Sequence, residues 1–305
     1  MAGRTLAVMT SLRVVQLNAG SLLEPGWAAR RHEIVAWLRR LEPDVVGLEE
    51  IWEDASNENT AGWIVAQLAE LGLHWTFAGA SFGPDLWPDP SMRFGSAVLS
   101  RWPIDATIYH RLPVADDGDA FVAAVPWELV HVRTAGLDLF VTHLAPAPTH
   151  ALHRQRQVVA IDRIIRDARP GLDDSPPPGS LRDAMPAILC GDFNAEPDSD
   201  EIRFLCSLTA LEGRVAFYQD AWRVAGDGDG LTQDWRLNPI AAQLNVHRKR
   251  IDYVFVGDPF QRRGSAGRVL RASLAFHEPL TGVLASDHAG LVVDVVWPDR
   301  PAVGA

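Results

Sequence analysis

The sequence has little cysteine, no long apolar run and a deficit of positive charge. Cys190 and Cys206 are the two cysteines among 305 residues, and they lack the paired spacing that is typical of zinc sites. No apolar run approaches the roughly 18 residues that a membrane-spanning helix needs. The net charge of −11 argues against a broad, unspecific grip on a polyanion. These absences disfavour a zinc-thiolate protein, an integral membrane protein and a protein that coats nucleic acid.

The composition is that of a globular protein with a sizeable core. Apolar residues make up 47% of the chain, and no linker with a shift in composition divides it. We therefore expect a single domain over residues 1–305, with its core at about 12–297. The first residues lack the cleavage site and spacer of a secretory signal, so we expect a cytoplasmic protein without a stable membrane anchor. Either Met1 or Met9 is the expected start of the natural protein.

Hydrophobic periodicity predicts alternating helices and strands. Helices are predicted at 27–41, 61–71 and 149–169, with Thr149 as the cap of the third. Strands are predicted at 13–18, 45–49, 96–100, 104–110, 121–132 and 137–143, and again near residues 187, 250, 268 and 291. The Pro-rich and Gly-containing segment 170–186 indicates a surface loop. The middle of the chain is therefore expected to be rich in strands.

The segment 188–195 places polar groups at the end of an apolar run. The run ends at Gly191, and Asp192 and Asn194 follow on either side of Phe193. Positions i and i+2 of an extended chain share a face, so we expect Asp192 and Asn194 to point into one space and Phe193 into the core. A carboxylate beside an amide can orient and deprotonate water, or bind a hard cation. The alternative is an ordinary turn, because Asp, Asn and Gly are common turn residues.

Other apolar runs end in, contain or follow polar residues of the same kind. These residues are Asn18, Glu49, His143, Asp252 and the pair Asp287-His288. Sites in α/β proteins collect at strand ends, so we expect these side chains to meet. Two like charges about 4 Å apart repel by roughly 4 kcal/mol at an effective dielectric near 20, so four carboxylates in one cleft need a cation or a proton. Oxygen ligands without a thiolate favour Mg²⁺, Mn²⁺ or Ca²⁺ over zinc.

Six short motifs follow one another along the chain. They are Gln16-Leu-Asn18, Leu48-Glu49-Glu50, Thr142-His143-Leu144, Gly191-Asp192-Phe193-Asn194, Arg250-Ile251-Asp252-Tyr253 and Ser286-Asp287-His288. In this order they resemble the endonuclease/exonuclease/phosphatase superfamily, which includes deoxyribonuclease I, abasic-site endonucleases, sphingomyelinases and inositol polyphosphate 5-phosphatases. The resemblance runs from Arg13 to about Trp297. It implies an α+β fold, a four-layer α/β/β/α sandwich of two mixed β-sheets flanked by helices, and Mg²⁺-dependent cleavage of phosphate esters.

The resemblance implies a set of metal ligands. Glu49 matches the family's principal metal ligand, Asn18 the amide that supports the metal and the scissile phosphate, and Asp287 an acid near the metal. Mg²⁺ is the expected cofactor, with Mn²⁺ or Ca²⁺ as alternatives. Two residues after Asn18 the abasic-site endonucleases carry an aspartate, whereas this chain has Gly20. That departure removes one candidate ligand and leaves open whether one metal or two are bound.

The resemblance also implies the catalytic residues. Asp192 matches the acid that activates the attacking water, and Asn194 matches its partner that holds water and a phosphate oxygen. His288 matches the histidine that contacts the phosphate, and Asp252 the acid paired with it. His143 matches a histidine of the deoxyribonuclease-like and sphingomyelinase-like members, and its implied role is to stabilise the transition state or protonate the leaving group.

Four further residues are candidates for contacts with the substrate. Arg93 could reach a phosphate or form a structural salt bridge. Trp235, in the same loop as Asn238, could stack on a base, contact a lipid headgroup or anchor the core. Arg248 lies in a basic cluster that could clamp a phosphate or lie in a solvated loop. The segment 248–253 lacks the Trp-x-Asp-Arg-Ile motif of inositol phosphatases, which disfavours a phosphoinositide substrate.

The expected activity is Mg²⁺-dependent hydrolysis of phosphodiester bonds by in-line attack of an activated water. We expect the substrate to be nucleic acid, either DNA or RNA. The alternative is a lipid headgroup, as in sphingomyelinases, or a small soluble phosphate ester. A third reading is a binding module that has lost its chemistry, which the intact set of acids, amides and histidines disfavours.

Overall fold

The computed structural model of the protein describes residues 10–82, 89, 91–244 and 247–303. The expected start at Met1 or Met9 lies outside the described residues. Twelve strands are formed in this part of the chain: β1 Ser11–Asn18, β2 Val45–Glu53, β3 His74–Ser81, β4 Arg93–Ser100, β5 Ile104–Arg111, β6 Glu128–Thr134, β7 Leu137–His143, β8 Ile188–Asp192, β9 Tyr218–Asp220, β10 Asp252–Gly257, β11 Val269–Ala275 and β12 Gly290–Val296. The α-helices there are α1 Trp27–Leu41, α2 Thr60–Gln67, α3 Ala120–Ala124, α4 Ala151–Ala168, α5 Asp200–Leu205, α6 Ala221–Ala225 and α7 Pro239–Gln243.

The strands form two mixed sheets of six strands each. The first has the order β11-β12-β1-β2-β4-β3 and the second the order β5-β6-β7-β8-β10-β9. Each sheet contains one parallel pair, β1 with β2 and β7 with β8, and its other pairs are antiparallel. This arrangement confirms the expected pair of mixed sheets.

Three apolar clusters show how the layers pack. One cluster lies between the sheets and joins Val14 of β1 to Val254 of β10. A second packs Leu38 of α1 against the outer face of the first sheet, and a third packs Ile161 of α4 against the second. Each such buried side chain contributes roughly 1.5–3 kcal/mol relative to exposure. The result is the expected α/β/β/α sandwich, in which helices cover both outer faces.

The segment 121–132, predicted as one strand, is divided in the structure. Its first part belongs to α3, whose N-cap Asp119 accepts a hydrogen bond of 2.9 Å from the amide of Val122. Pro126 follows, and its missing N–H separates this turn of helix from β6. The apolar and β-branched composition of the segment favours a strand, and the prediction did not take account of the cap at Asp119, which precedes it.

Two other elements differ from the sequence-based expectations. The third predicted helix begins later, because Pro148–His150 form a 3₁₀ turn and His150 rather than Thr149 is the N-cap of α4. The strand β3 was not predicted. It is an edge strand with mostly half-buried or exposed residues, so it lacks the clear alternation of a strand with one buried face. No helix within the described residues is both long and apolar enough to cross a lipid bilayer.

Strand register brings the polar strand ends together. Asn18 at the end of β1 pairs with Glu49 of β2 in the first sheet. In the second sheet His143 at the end of β7 pairs with Asp192 of β8, which in turn pairs with Asp252 of β10. The two parallel pairs therefore present their carboxyl ends to the same region of the molecule, where sites are expected in α/β proteins.

Candidate active site

A cavity of about 460 Å³ lies where the ends of the two sheets meet. Its polar lining comes from strand ends and the loops after them: Glu50, His143, Asp192, Asn194, Gln233, Lys249, Asp287 and His288. The rest of the lining is mainly apolar and includes Trp52, Phe82, Phe94, Phe121, Val125 and Trp127. The cavity thus places titratable groups beside an aromatic surface.

Glu49 and Glu50 lie at an irregularity in β2. The pairing of β2 with β4 shifts between Leu48 and Ile51, and Glu50 has a φ of 56°, which is uncommon for a residue with a side chain. Glu49 is fully buried, and its Oε2 accepts a hydrogen bond of 2.7 Å from Nε2 of Gln16. Glu50 instead lines the cavity. The bulge therefore turns Glu50, rather than the expected Glu49, toward the open space, which the alternation of a regular strand does not predict.

Asn18 connects the carboxylates of the two sheets. Its Nδ2 donates to Oε1 of Glu50 at 3.0 Å and to Oδ2 of Asp192 at 3.1 Å. Its Oδ1 accepts a hydrogen bond of 3.0 Å from the amide of Gly20, which fixes the orientation of the side chain. Asn18 is buried. The amide thus positions Glu50 and Asp192 relative to each other.

Asp192 and Asn194 share the cavity, and Phe193 lies in the core between α4 and the second sheet. Gly191 has a φ of 145°, and a Cβ there would lie 1.9 Å from the carbonyl oxygen of Thr142 on β7. The strand therefore needs glycine at this position to approach β7. The backbone amide of Asn194 donates to Oδ1 of Asp192 at 2.8 Å, which leaves Oδ2 directed at the other groups of the site.

Two histidines flank Oδ2 of Asp192. Nε2 of His143 lies 3.6 Å away and Nε2 of His288 lies 3.9 Å away. His143 is partly exposed, and its ring meets Trp127 edge to face with centroids 6.4 Å apart. His288 is buried. The carboxylate of Asp192 is therefore the point on which groups from β1, β7 and the loop before β12 converge.

His288 and Asp252 form a buried ion pair. Nδ1 of His288 lies 2.8 Å from Oδ2 of Asp252. Burial alone would lower the pKa of His288, but Asp252, Asp287 and Asp192 outweigh it and hold this pKa well above its usual value. Burial alone would raise the pKa of Asp252, but the charge and hydrogen bond of His288 lower it. These neighbouring carboxylates favour the cationic imidazole, whose Nε2 lies on the side of Asp192 and Gln233.

Gln233 is a site residue that sequence reasoning missed. Its Nε2 lies 2.9 Å from Oδ2 of Asp287 and 2.7 Å from Nε2 of His288. Gln233 precedes Trp235 by two residues, in the same loop as this candidate substrate contact. A glutamine in a polar loop carries no periodic signal, so only the folded chain shows which side chain of this loop faces the site. Gln16 belongs to the first motif, and its side chain donates to both Glu49 and Asp252, a role that the motif alone does not predict.

The four expected substrate contacts, Arg93, Trp235, Asn238 and Arg248, do not line this cavity. Arg93 is held by Glu53 at 2.6 Å, and Arg248 by Asp234 at 3.0 Å. Asn238 caps α7 and donates to the carbonyl of Ser286 at 2.8 Å, while the ring of Trp235 is half exposed. The three polar side chains therefore bind nearby protein groups outside the cavity, and the sequence alone does not show these partners.

Several carboxylates lie close together on one side of the site. Burial raises the pKa of Glu50, and burial together with Asp252 raises that of Asp192. Oε2 of Glu50 is buried without a hydrogen bond from any described residue. A buried carboxylate oxygen without a donor is costly, and a divalent cation would satisfy it.

Two groups of side chains have a composition that fits a cation. Asp192, Asp252 and His288 have potential ligand atoms within 4.8 Å of one another, but Nδ1 of His288 is already engaged by Asp252. Glu50 has a free oxygen, with the amide of Asn18 and the carboxylate of Asp287 nearby. An oxygen-only set is the kind that Mg²⁺, Mn²⁺ and Ca²⁺ prefer. The second group therefore fits a hard cation better.

An aromatic surface faces the polar groups across the cavity. The ring of Trp52 packs against Phe94 with centroids 4.8 Å apart, and Phe82 lies 6.0 Å from the same ring. Trp127 completes this wall beside His143. Among the described residues, Lys249 is the one lysine or arginine that lines the cavity. The site is therefore suited to one phosphate next to a planar or apolar group.

Comparisons with known proteins show a matching family and a common fold. A family model described as the Endonuclease/Exonuclease/phosphatase family matches residues 15–288. A solved structure of an endonuclease/exonuclease/phosphatase from Beutenbergia cavernae is similar, with a TM-score of 0.67 and 22% identity over 96% of this chain and 73% of that chain. The human Nocturnin catalytic domain with bound sulfate has a TM-score of 0.63 and 20% identity, covering 93% of both chains.

A third similar structure is that of D. rerio TDP2 complexed with a single-strand DNA product. It has a TM-score of 0.65 and 18% identity, covering 94% of this chain and all of that chain. Because the identities to these solved structures are low, the structural similarity establishes a common fold and nothing beyond it. None of the curated proteins compared with the chain matches it.

Proposed function

This chain belongs to the endonuclease/exonuclease/phosphatase family and is therefore a phosphoric ester hydrolase, and we propose that it cleaves phosphodiester bonds in nucleic acid with the help of a divalent cation. One observation carries the proposal: Asp192, His143 and His288 converge within 4.0 Å contacts on one cavity that Glu50 also lines. A base, a hydrogen-bond donor for the phosphoryl oxygens and a carboxylate for a metal are groups that accelerate phosphodiester hydrolysis.

Glu50, with Asn18 and Asp287, would hold the cation. A bound divalent cation there would offset the negative charge that develops on the phosphoryl group. Mg²⁺ fits the oxygen donors, and so do Mn²⁺ and Ca²⁺. This role passes from Glu49, the residue expected from the motif, to Glu50, because Glu49 is enclosed beside Gln16 below the cavity lining.

Asp192 would orient a water and accept its proton. The hydrogen bonds from the Asn194 amide and the Asn18 side chain hold the carboxylate in place. Asn194 lines the same cavity and would help to position the water. A fixed general base places the nucleophile in line with the leaving group without the entropic cost of assembling the reactants.

The two histidines would act on the phosphate. His288, paired with Asp252, would donate a hydrogen bond from Nε2 to a phosphoryl oxygen. His143, which is more accessible than His288, would donate a proton or hydrogen bond to the leaving oxygen. His143 at the end of β7 and His288 in the loop before β12 would therefore act on different oxygens of the substrate.

The aromatic wall supports a nucleic-acid substrate with an unpaired base. Bases stack on Trp and Phe rings regardless of sequence, and each stack contributes roughly 1–3 kcal/mol. A single lining lysine and the net charge of −11 suit a short or single-stranded substrate better than a long duplex. A second candidate is a lipid or small phosphate ester, which the apolar lining and acidic composition also favour.

A substrate panel tests the proposal. The full chain with Mg²⁺ is assayed against single-stranded DNA, RNA, bis-p-nitrophenyl phosphate and sphingomyelin vesicles. Asp192→Asn serves as the inactive control, and Asp105→Asn, at an exposed position, as the matched active one. Cleavage of an oligonucleotide by wild type and Asp105→Asn alone supports the proposal. Cleavage of sphingomyelin alone favours the second candidate, and no cleavage of any substrate overturns both.

A further inference from the structure

We propose that Glu24, in the loop after β1, is a third carboxylate ligand of the metal site. Its carboxylate lies in the space that a side chain at position 20 would otherwise occupy. The inference rests on the proposed function, because it assumes a cation near Glu50 and Asp287. It assigns a ligand that none of the six sequence motifs contains.

The space at Gly20 is filled by the carboxylate of Glu24. A Cβ built on Gly20 would lie 1.7 Å from Oε2 of Glu24 and 3.2 Å from Oδ1 of Asp287. The two carboxylates therefore approach the same point, directly after Asn18. Gly20 also has a φ of 55°, and its carbonyl accepts the amide of Glu24 at 3.1 Å, so the turn itself brings the glutamate back over the glycine.

Arg30 holds this loop but does not hydrogen-bond the Glu24 carboxylate. Its guanidinium donates to the main-chain carbonyls of Ala19, Gly20, Ser21, Glu24, Pro25 and Ala285. Its closest approach to Oε2 of Glu24 is 3.7 Å, which is an ionic contact without a hydrogen bond. The arginine thus builds the loop backbone, and its donors are used before they reach the carboxylate.

Oε2 of Glu24 has no hydrogen-bond donor among the described residues, although the side chain is only 9% exposed. Oε2 of Glu50 is likewise buried without a donor. Two carboxylate oxygens without donors near a third acid form an incomplete oxygen cage, which a divalent cation completes.

The alternative role for Glu24 is that of a structural ion-pair partner of Arg30. That role predicts a loss of stability when the carboxylate is neutralised, because a buried guanidinium would lose its nearest negative charge. The metal role predicts the opposite in metal-free protein, because neutralisation relieves repulsion from Glu50 and Asp287. The two roles therefore differ in the sign of one measurable effect.

Metal titration provides the first test. Mn²⁺ binding to the substrate-free full chain is measured by isothermal titration calorimetry and by electron paramagnetic resonance, for wild type, Glu24→Gln and Glu212→Gln. The last variant removes the same charge at an exposed position. We expect Glu24→Gln to weaken Mn²⁺ binding about ten-fold or more and Glu212→Gln to leave it unchanged. An unchanged Kd in Glu24→Gln overturns the inference.

Thermal unfolding with and without Mn²⁺ separates a ligand from a structural partner. We expect metal-free Glu24→Gln to unfold at the same temperature as wild type or above it, with a smaller rise in Tm on adding Mn²⁺. A lower Tm without metal, together with an undiminished rise on adding metal, would assign Glu24 to Arg30 alone.

A variant with the carboxylate at position 20 tests whether the space that Glu24 fills is a position for a metal ligand. In Gly20→Asp combined with Glu24→Ala, the new acid occupies the freed space, and aspartate tolerates the left-handed backbone better than most residues. We expect tighter Mn²⁺ binding than in Glu24→Ala alone. Equal Mn²⁺ binding in the two variants would contradict the inference that a carboxylate in this space binds the metal.

Glu50→Gln distinguishes a failure of this inference from a failure of the proposed function. Loss of Mn²⁺ binding in Glu50→Gln, with normal binding in Glu24→Gln, overturns the role of Glu24 and leaves the metal site intact. Normal binding in both variants overturns the metal site on which the proposed function depends.

Discussion

A hydrogen bond of 3.1 Å from Nδ2 of Asn18 to Oδ2 of Asp192 joins the two sheets at the candidate active site. Asn18 ends β1 of the first sheet, and Asp192 ends β8 of the second. The acid proposed as the base is thus oriented by an amide from the opposite layer. Because neither sheet alone contains the site, its geometry depends on how the sheets pack through the apolar cluster between them.

Glu50 and its neighbour Glu49 should respond differently to neutralisation. Glu50→Gln is expected to lower kcat/KM by about 100-fold or more and to weaken Mn²⁺ binding, because it removes a charge from the cavity. Glu49→Gln should keep Mn²⁺ binding near wild type, because its carboxylate lies against Gln16 away from the lining. Calorimetry and steady-state kinetics on both variants check this contrast. The reverse pattern would return the metal role to Glu49.

Asp192→Asn should lose about two or three orders of magnitude in kcat with little change in KM. The amide keeps the shape and the hydrogen bond from Asn194 but cannot accept a proton from water. Steady-state rates on bis-p-nitrophenyl phosphate measure the effect. If kcat falls less than ten-fold while KM rises, Asp192 binds substrate instead of acting as the base.

Asp252→Asn should lower the pKa of His288. Asp252 is the nearest of the charges that raise this pKa against the effect of burial. Because the folded-state pKa of His288 is raised, protonation of His288 stabilises the fold fully below the ordinary histidine pKa of 6.5. This contribution is lost as pH rises through the folded-state pKa. An NMR titration of metal-free protein follows the imidazole, and a pKa unchanged by the substitution would contradict the ion pair.

Gly191→Ala should destabilise the protein by about 3 kcal/mol or more, because the new Cβ would meet the Thr142 carbonyl at 1.9 Å in the centre of a sheet. Gly213→Ala is the matched control. It has a φ of 69° but open space around its Cβ, so only the backbone cost of about 1 kcal/mol is expected. Urea unfolding measures both. Equal losses would mean that the clash at Gly191 is relieved by movement of the strand.

Phe121→Ala should raise KM for single-stranded oligonucleotides about ten-fold, with a smaller effect on kcat. The ring of Phe121 lines the cavity and is about half exposed, so it would stack on a base, a contact of roughly 1–3 kcal/mol. Trp235→Ala, at a half-exposed ring outside the cavity lining, is the comparison. A larger increase in KM for Trp235→Ala would indicate that the nucleobase of the substrate stacks on Trp235 instead.

The assignment of residues 1–305 to a single domain stays a prediction. Limited proteolysis of the full chain tests it, because a second domain would release a stable fragment.

The sequence by itself predicted most of the strands, and the order of its six motifs implied the layers and the kind of chemistry. Apolar runs with polar ends such as Asn18, Asp192 and His143 predicted strands that deliver side chains to one edge, because alternation and strand ends are local properties of the chain. Tertiary structure decided which neighbouring side chain faces the cavity. A bulge turns Glu50 rather than Glu49 outward, a turn folds Glu24 over Gly20, and local partners hold Arg93 and Arg248 away. These outcomes depend on pairing between distant segments, and no local pattern encodes such pairing.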